Sequence, residues 1–223
     1  RPPRSTLFPY TTLFRSTLAS LTLNSGSKII SDSNVDIQSA GVLTAQNSDI
    51  EAKEGYVNVG STGDFTVDGS TLKADAGNLS ITTDGTATVK GDSTIKSVTG
   101  DVAVQAKAID MGTSSDTGNN FEAAENISLK AGPESGKDST NTVNIQKTDF
   151  STLTNASDTI FLAGYNISSS GNFTTDTLTF SGINNVNTLG IITADALTIN
   201  GHTVSTSGTI GVNSFGVTLD DTS

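Results

Sequence analysis

The 223-residue chain has no cysteine, no tryptophan and a single methionine, and aromatic residues of all kinds make up only 5% of it. The lack of cysteine excludes a disulfide framework and cysteine-ligated metal sites. Basic residues are scarce as well. Twelve Lys and Arg stand against 23 Asp and Glu, a net charge of −11, and this argues against a nucleic-acid partner. No apolar run approaches the roughly 18 residues that a membrane-spanning helix needs. Proline is almost confined to the start: Pro2, Pro3 and Pro9 are three of the four, and all three arginines (Arg1, Arg4, Arg15) accompany them.

Residues 1–16, RPPRSTLFPYTTLFRS, therefore differ in composition from everything that follows. Codon for codon, they resemble the forward translation of a common short-read sequencing adapter. They lack the uninterrupted apolar core and small-residue cleavage site of a signal peptide, so the run is set apart from the fold as adapter-derived. The reading frame is then open at its start, and the chain is expected to be an internal piece of a longer protein. Without the run, nine lysines face 23 acids and the net charge is −14.

What remains is rich in Ser, Thr, Asn, Asp and Gly, a composition that also suits a disordered chain. The order lies in the placement. The pairs Val35/Ile37, Val57/Val59, Leu79/Ile81 and Val102/Val104 recur at steps of 22, 22 and 23 residues. A second set, Leu43/Ala45, Phe65/Val67 and Ala87/Val89, steps by 22 and 22; a third, Ile50/Ala52, Leu72/Ala74 and Ile95/Ser97, steps by 22 and 23. Spacing by two turns both members of a pair to one face of a strand. Three strands per repeat of about 22 residues predict one coil of a three-sided parallel β-helix. The fold class is all-β, with the right hand that parallel crossovers prefer.

Stacked coils place like residues in columns. Inside, one column reads Val35, Val57, Leu79, Val102 and another Leu43, Phe65, Ala87. Outside, Thr44, Thr66 and Thr88 align, and Glu51 sits beside Lys73, followed by Lys96. Exposed ladders of this kind add a few tenths of a kcal/mol per pair, so the buried columns and strand ladders must carry the stability. Gly41, Gly63 and Gly85 precede the second strand, and Gly55, Gly77 and Gly100 the first. Positive φ at these corners is expected to let the chain turn sharply.

Elsewhere the pattern is looser. Residues 17–34 read as an irregular first coil, with Leu18, Leu21 and Ile29/Ile30 as inward candidates. Apolar residues are sparse near 112–125, which predicts a loop or irregular coil. A second loop is predicted over 131–140, where Pro133 removes a ladder donor, and it is the preferred place for a ligand-binding protrusion. The pattern resumes with Val143/Ile145, Ile160/Leu162, Leu178/Phe180, Leu197/Ile199 and Val217/Leu219. DTLTF, DALTI and GVTLD read as copies of one strand, stepping by 19 and 20. Residues 17–223 thus form a single solenoid of nine or ten coils of about 19–23 residues, on the order of 45 Å long. Its open last coil is expected to need further protein over its edge.

No constellation for catalysis emerges. His202, the only histidine, reads as a polar turn residue, and no serine or threonine is marked as an activated nucleophile. Asp49 with Glu51, and Asp220 with Asp221, are pairs of the kind used on glycosides, but chance supplies such pairs in a chain with 23 acids. The calcium-binding nonapeptide G-G-x-G-x-D is absent. One threonine column, Thr44, Thr66 and Thr88, is too few for an ice-matching array. Glycosylation sequons at Asn78, Asn126, Asn155, Asn166 and Asn172 matter only in a glycosylating secretory pathway. No catalytic, cofactor-binding or metal residue is assigned, no cofactor is expected, and the chain reads as a non-enzyme.

The units NLSITTDGTATVKGDSTIKS, DTLTFSGINNVNTLGIITA and DALTINGHTVSTSGTI resemble the repeats of filamentous-haemagglutinin-type adhesins, the large exoproteins of two-partner secretion, and of autotransporter passenger domains. The resemblance covers most of residues 35–112 and 158–223; the secretion domain that defines two-partner substrates is not in the chain. It implies a stiff, acidic stalk of a secreted or surface-displayed bacterial adhesin, associated with the outer membrane. It further implies an outer-membrane secretion partner, and host or neighbouring-cell glycans or proteins as contacts. The alternative is a carbohydrate-active β-helix, a polysaccharide lyase or tailspike-type glycosidase, which would cluster acids and a base over one cleft.

Overall fold

Short stretches that alternate apolar and polar residues can bury only one face, and they do so as strands of four or five residues, such as Val35–Ser39, Val42–Gln46 and Asp49–Ala52. In the computed structural model these strands stack in parallel as a β-solenoid of about nine turns, with no helix among the described residues. The structure describes residues 20–132, 138–152 and 157–219, and the backbone alone of 12–16. Each strand pairs with its counterpart one coil on, so the three strands of a coil generate three sheets. Val35 pairs with Val57, Val57 with Leu79 and Leu79 with Val102 on the first face. Leu43, Phe65 and Ala87 pair in turn on the second, and Ile50, Leu72 and Ile95 on the third. All of these side chains are buried.

The columns run further than the strict repeat. On the third face Ile95 is followed by Phe121, Phe150, Phe173 and Ile192. The rings of Phe121 and Phe150 stack at 5.1 Å between centroids and those of Phe150 and Phe173 at 5.0 Å; Phe180, from the first face, meets Phe173 edge-on at 5.4 Å. At the start, Leu21 lies under Leu43 and Ile29 under Ile50, so the regular stack begins one coil earlier than expected. Ile30 faces outward, paired with Glu51, and Leu18 lies outside the described residues. Within the run set apart on composition, Thr12–Ser16 pairs in parallel with Val35–Ser39. Backbone pairing is indifferent to side chains, and an open strand edge accepts any extended segment.

Three expectations need correction. The loop expected near 112–125 ends at Gly118, because Asn119–Ala123 is a strand that buries Phe121 and Ala123. Of the loop expected over 131–140, Ala131 ends the strand Ile127–Ala131, and residues 133–137 lie outside the described residues. At the C-terminal end Leu197 pairs with Phe215 and Ile199 with Val217, two residues out of the expected register. A slip of two keeps every side chain on its own face, so hydrophobic alternation does not distinguish the two. The pairing of Ile192 with Ile210 and the bond from Asn213 Nδ2 to Asp195 Oδ1, 2.9 Å, fix the shorter step.

The corners are polar inside. Between the second and third faces Ser48, Ser70, Ser93 and Asn119 form a buried column. The backbone N–H of Ser48 donates to Ser70 Oγ (3.0 Å), that of Ser70 to Ser93 Oγ (3.1 Å) and that of Ser93 to Asn119 Oδ1 (2.9 Å). Between the third and first faces a second column caps each following coil. Tyr56 N donates to Asn34 Oδ1 (3.1 Å), Asp101 N to Asn78 Oδ1 (3.0 Å), Asn126 N to Asp101 Oδ1 (3.0 Å) and Thr159 N to Asn126 Oδ1 (3.1 Å). This column explains glycines expected to owe their recurrence to positive φ. Among the described residues, positive φ falls instead at Asn47, Gly69, Gly91 and Asp92, on the serine corner, and at a few other sites. Gly55 and Gly100 are there for clearance: a Cβ would lie 2.1 Å from Asn34 Oδ1 and 2.2 Å from Asn78 Oδ1.

Two substitutions measure these devices separately. Phe150→Ala should cost about 3–5 kcal/mol in equilibrium denaturation, since its ring fills the stack between Phe121 and Phe173. Ser70→Ala removes almost no volume but strands the buried N–H of Ser48, and should cost about 1–3 kcal/mol by the same measurement.

Candidate functional site

The residues singled out from the sequence fall on different parts of the surface. Asp49 and Glu51 share the outward side of the third face, each engaged by a lysine of a neighbouring coil: Lys28 Nζ lies 2.7 Å from Asp49 and Lys73 Nζ 3.2 Å from Glu51. Lys73 also reaches Asp75 at 2.7 Å. Further along the column Lys96 pairs with Glu122, whose carboxyl is held below its usual range by that lysine and by Asn120. These acids serve an exposed charge ladder. His202 is exposed in the bend between Ile191–Gly201 and Thr203–Thr206. Asp220 and Asp221 lie outside the described residues. Thr44, Thr66 and Thr88 align as expected, half-buried on the second face.

Two concave features stand out among the described residues. A groove of about 260 Å³ at the corner of the short C-terminal coils is lined by threonines and by Asp176 and Asp195. A pair of carboxylates is what glycoside hydrolysis uses, but each of these accepts a hydrogen bond from the chain itself, Asp176 from the Asp158 N–H (3.2 Å) and Asp195 from Asn213 Nδ2 (2.9 Å). A shallow recess of about 670 Å³ surrounds Tyr56, with Asn34, Asn58, Asn78 and Glu54 among its walls. No group of three or more histidine, aspartate or glutamate side chains that could hold a metal ion occurs among the described residues.

The loop before Asn119 is closed by two carboxylates. Asp92, itself at φ 61°, accepts from the backbone N–H groups of Thr117 (2.7 Å) and Gly118 (2.9 Å) and from the Thr117 hydroxyl (2.8 Å). The Gly118 N–H is the largest influence holding its carboxyl below the usual range. Asp116 accepts from Thr113 N (2.9 Å), Thr113 Oγ1 (2.7 Å) and Asn119 Nδ2 (3.0 Å). Burial pushes Asp116 up, and these bonds outweigh it, so its carboxyl also sits low. The lone pairs of both acids are occupied by the chain's own donors, which makes them loop fasteners.

Sequence reasoning passed over Tyr56. The signal was present: Asn34, Tyr56, Asn78 and Asp101 step by 22, 22 and 23, and only one of the four lacks an amide or carboxylate. No family model, no curated protein and no solved structure matches the chain.

The two fasteners give a pH dependence of definite sign. Because both carboxyls sit below their ordinary value of 3.8, their contribution to loop stability is complete above that value and is lost as pH falls through the lowered folded values. Hydrogen-exchange protection at the Thr117 and Gly118 amides should therefore hold from neutral pH down to the ordinary carboxylate value of 3.8 and be lost progressively below it, ahead of the amides in the paired strands.

Proposed function

We propose that the solenoid is the repeat stalk of a large bacterial adhesin, secreted or displayed at the cell surface, that mediates attachment to cells or surfaces. The observation that carries this reading is the unbroken parallel pairing along three faces through about nine coils. Each coil is hydrogen-bonded to the next along all three sides, so bending the rod means opening a ladder, and stiffness follows from the pairing itself. A net charge of −14 outside the first sixteen residues keeps neighbouring rods apart and solvated. The strand-turn units that resemble filamentous-haemagglutinin repeats support the same assignment. On this reading the chain sits outside the cell, an outer-membrane partner exports it, and surface glycans or proteins are its contacts.

Display of the chain through an outer-membrane carrier on a non-adherent bacterium tests the proposal. Attachment to cultured cells or abiotic surfaces should rise several-fold over the carrier alone, and the purified chain should scatter X-rays as a rod. A gain of polysaccharide cleavage with no gain of attachment would favour the carbohydrate-active alternative.

A further inference from the structure

We propose that Tyr56 and the polar side chains around it form a binding site for a neutral pyranose sugar of a glycan. The inference deepens the adhesive-stalk reading and rests on it for the setting in which a glycan is met. It starts from a broken rule. In the column that caps each coil, Asn34, Asn78, Asp101 and Asn126 each accept from the backbone N–H one coil on. Tyr56 occupies the same column and has no side-chain carbonyl or carboxylate to offer the next coil. The clearance above it is still built: Gly77, like Gly55 and Gly100, lacks a Cβ, but the nearest atoms to one added there are backbone, Gly55 C at 3.2 Å, where the other two would strike an asparagine oxygen. The stack thus keeps room for a cap and carries an aromatic ring instead. A departure from the local rule of the stack is the mark of a functional position.

The ring is also held in place. The Tyr56 hydroxyl donates to Asp36 Oδ2 at 3.1 Å, and Asn58 Nδ2 donates to the other oxygen of the same carboxylate at 3.2 Å. With its backbone tied to Asn34 and its hydroxyl to Asp36, the side chain is ordered before any ligand arrives, which removes part of the entropy cost of binding. Even so it is 40% exposed, in a chain whose fully buried large side chains include five phenylalanines. An immobilised, exposed ring bordered by amides and a carboxylate matches a pyranose, which has an apolar C–H face to lie on the ring and a rim of hydroxyls to exchange hydrogen bonds. Asp36 and Glu54 beside the recess set the charge preference against uronic and sialic acids.

The test titrates the full chain with cellotetraose, maltotetraose, lactose and oligogalacturonate, using saturation-transfer NMR together with tyrosine fluorescence, which no tryptophan obscures. Saturable binding of at least one neutral saccharide is expected, with oligogalacturonate weaker. Tyr56→Phe keeps the ring and should stay within about threefold in Kd, whereas Tyr56→Asn should weaken binding by about tenfold or more. Tyr56→Asn also restores the capping residue, so its thermal midpoint should equal or exceed that of the parent, and lost binding then cannot come from misfolding. No saturable transfer from any neutral saccharide, or equal binding by the parent and Tyr56→Asn, overturns the proposal. Attachment by displayed chain that survives Tyr56→Asn unchanged removes the sugar site and leaves the stalk reading standing.

Discussion

Parallel, in-register pairing of each coil with the next is the constraint from which the other features follow. Because the partner of every strand is its own counterpart one turn away, a residue's nearest neighbours are residues of the same structural position. Apolar positions become columns, as from Val35 to Leu79 on the first face and from Ile95 to Phe173 on the third. Outward positions become columns too, and charge must then be arranged along the stack. Lys73 and Lys96 are direct neighbours, a repulsive contact in isolation. Each is offset by a carboxylate of the coil on its other side, Glu51 for the first and Glu122 for the second, and Lys73 also by Asp75 of its own coil.

The same constraint explains how a chain with only 34% hydrophobic residues folds. The interior is one strand wide on each side, so much of what is buried is corner, and corners hold backbone groups that no strand ladder satisfies. Serine, threonine and asparagine meet that need from inside. Ser61 Oγ donates to the Gly63 carbonyl at 2.9 Å, Ser97 Oγ to the Gly77 carbonyl at 2.7 Å, and Ser70 accepts from one coil while its own N–H donates to the next. Polar residues stacked this way are mutually satisfied and small enough not to widen the turn. Their abundance, which by composition suits a disordered chain, is part of the folded architecture.

The hydrophobic step made the strands and the three-sided coil legible from sequence, because three period-two pairs recur in fixed order every 22 or 23 residues, one pair for each side of a coil. It carried the register through the regular block and failed where its information ran out. A shift of two residues, as at Phe215, preserves inside and outside and is invisible to alternation. The strand Asn119–Ala123 was hidden because its first inward residue is an asparagine, buried for its hydrogen bond to Ser93. Recurrent glycines were recognised as geometric, but the reason differed. Positive φ belongs to the serine corner, and Gly55 and Gly100 clear a path for the asparagine below, a relation between coils that no single repeat displays.

Stacking also decides where variation can enter. The glycine column Gly171, Gly190 and Gly208 shows the tight limit: a Cβ at Gly190 would lie 1.7 Å from the Gly171 carbonyl oxygen, and one at Gly208 1.9 Å from that of Gly190. Backbones in such contact accept no side chain, and at this corner the short coils turn with none between them. At the opposite limit, an inserted loop such as the one fastened by Asp92 and Asp116 leaves the ladder through one corner and rejoins it in register. Between these limits lies substitution within a column, where the geometry of the coil is kept and only the exposed chemistry changes. Tyr56 is of that third kind. A repeat that supplies its own rule makes the exception measurable, because the residue that would satisfy the rule at position 56, asparagine, is given by the coils on either side.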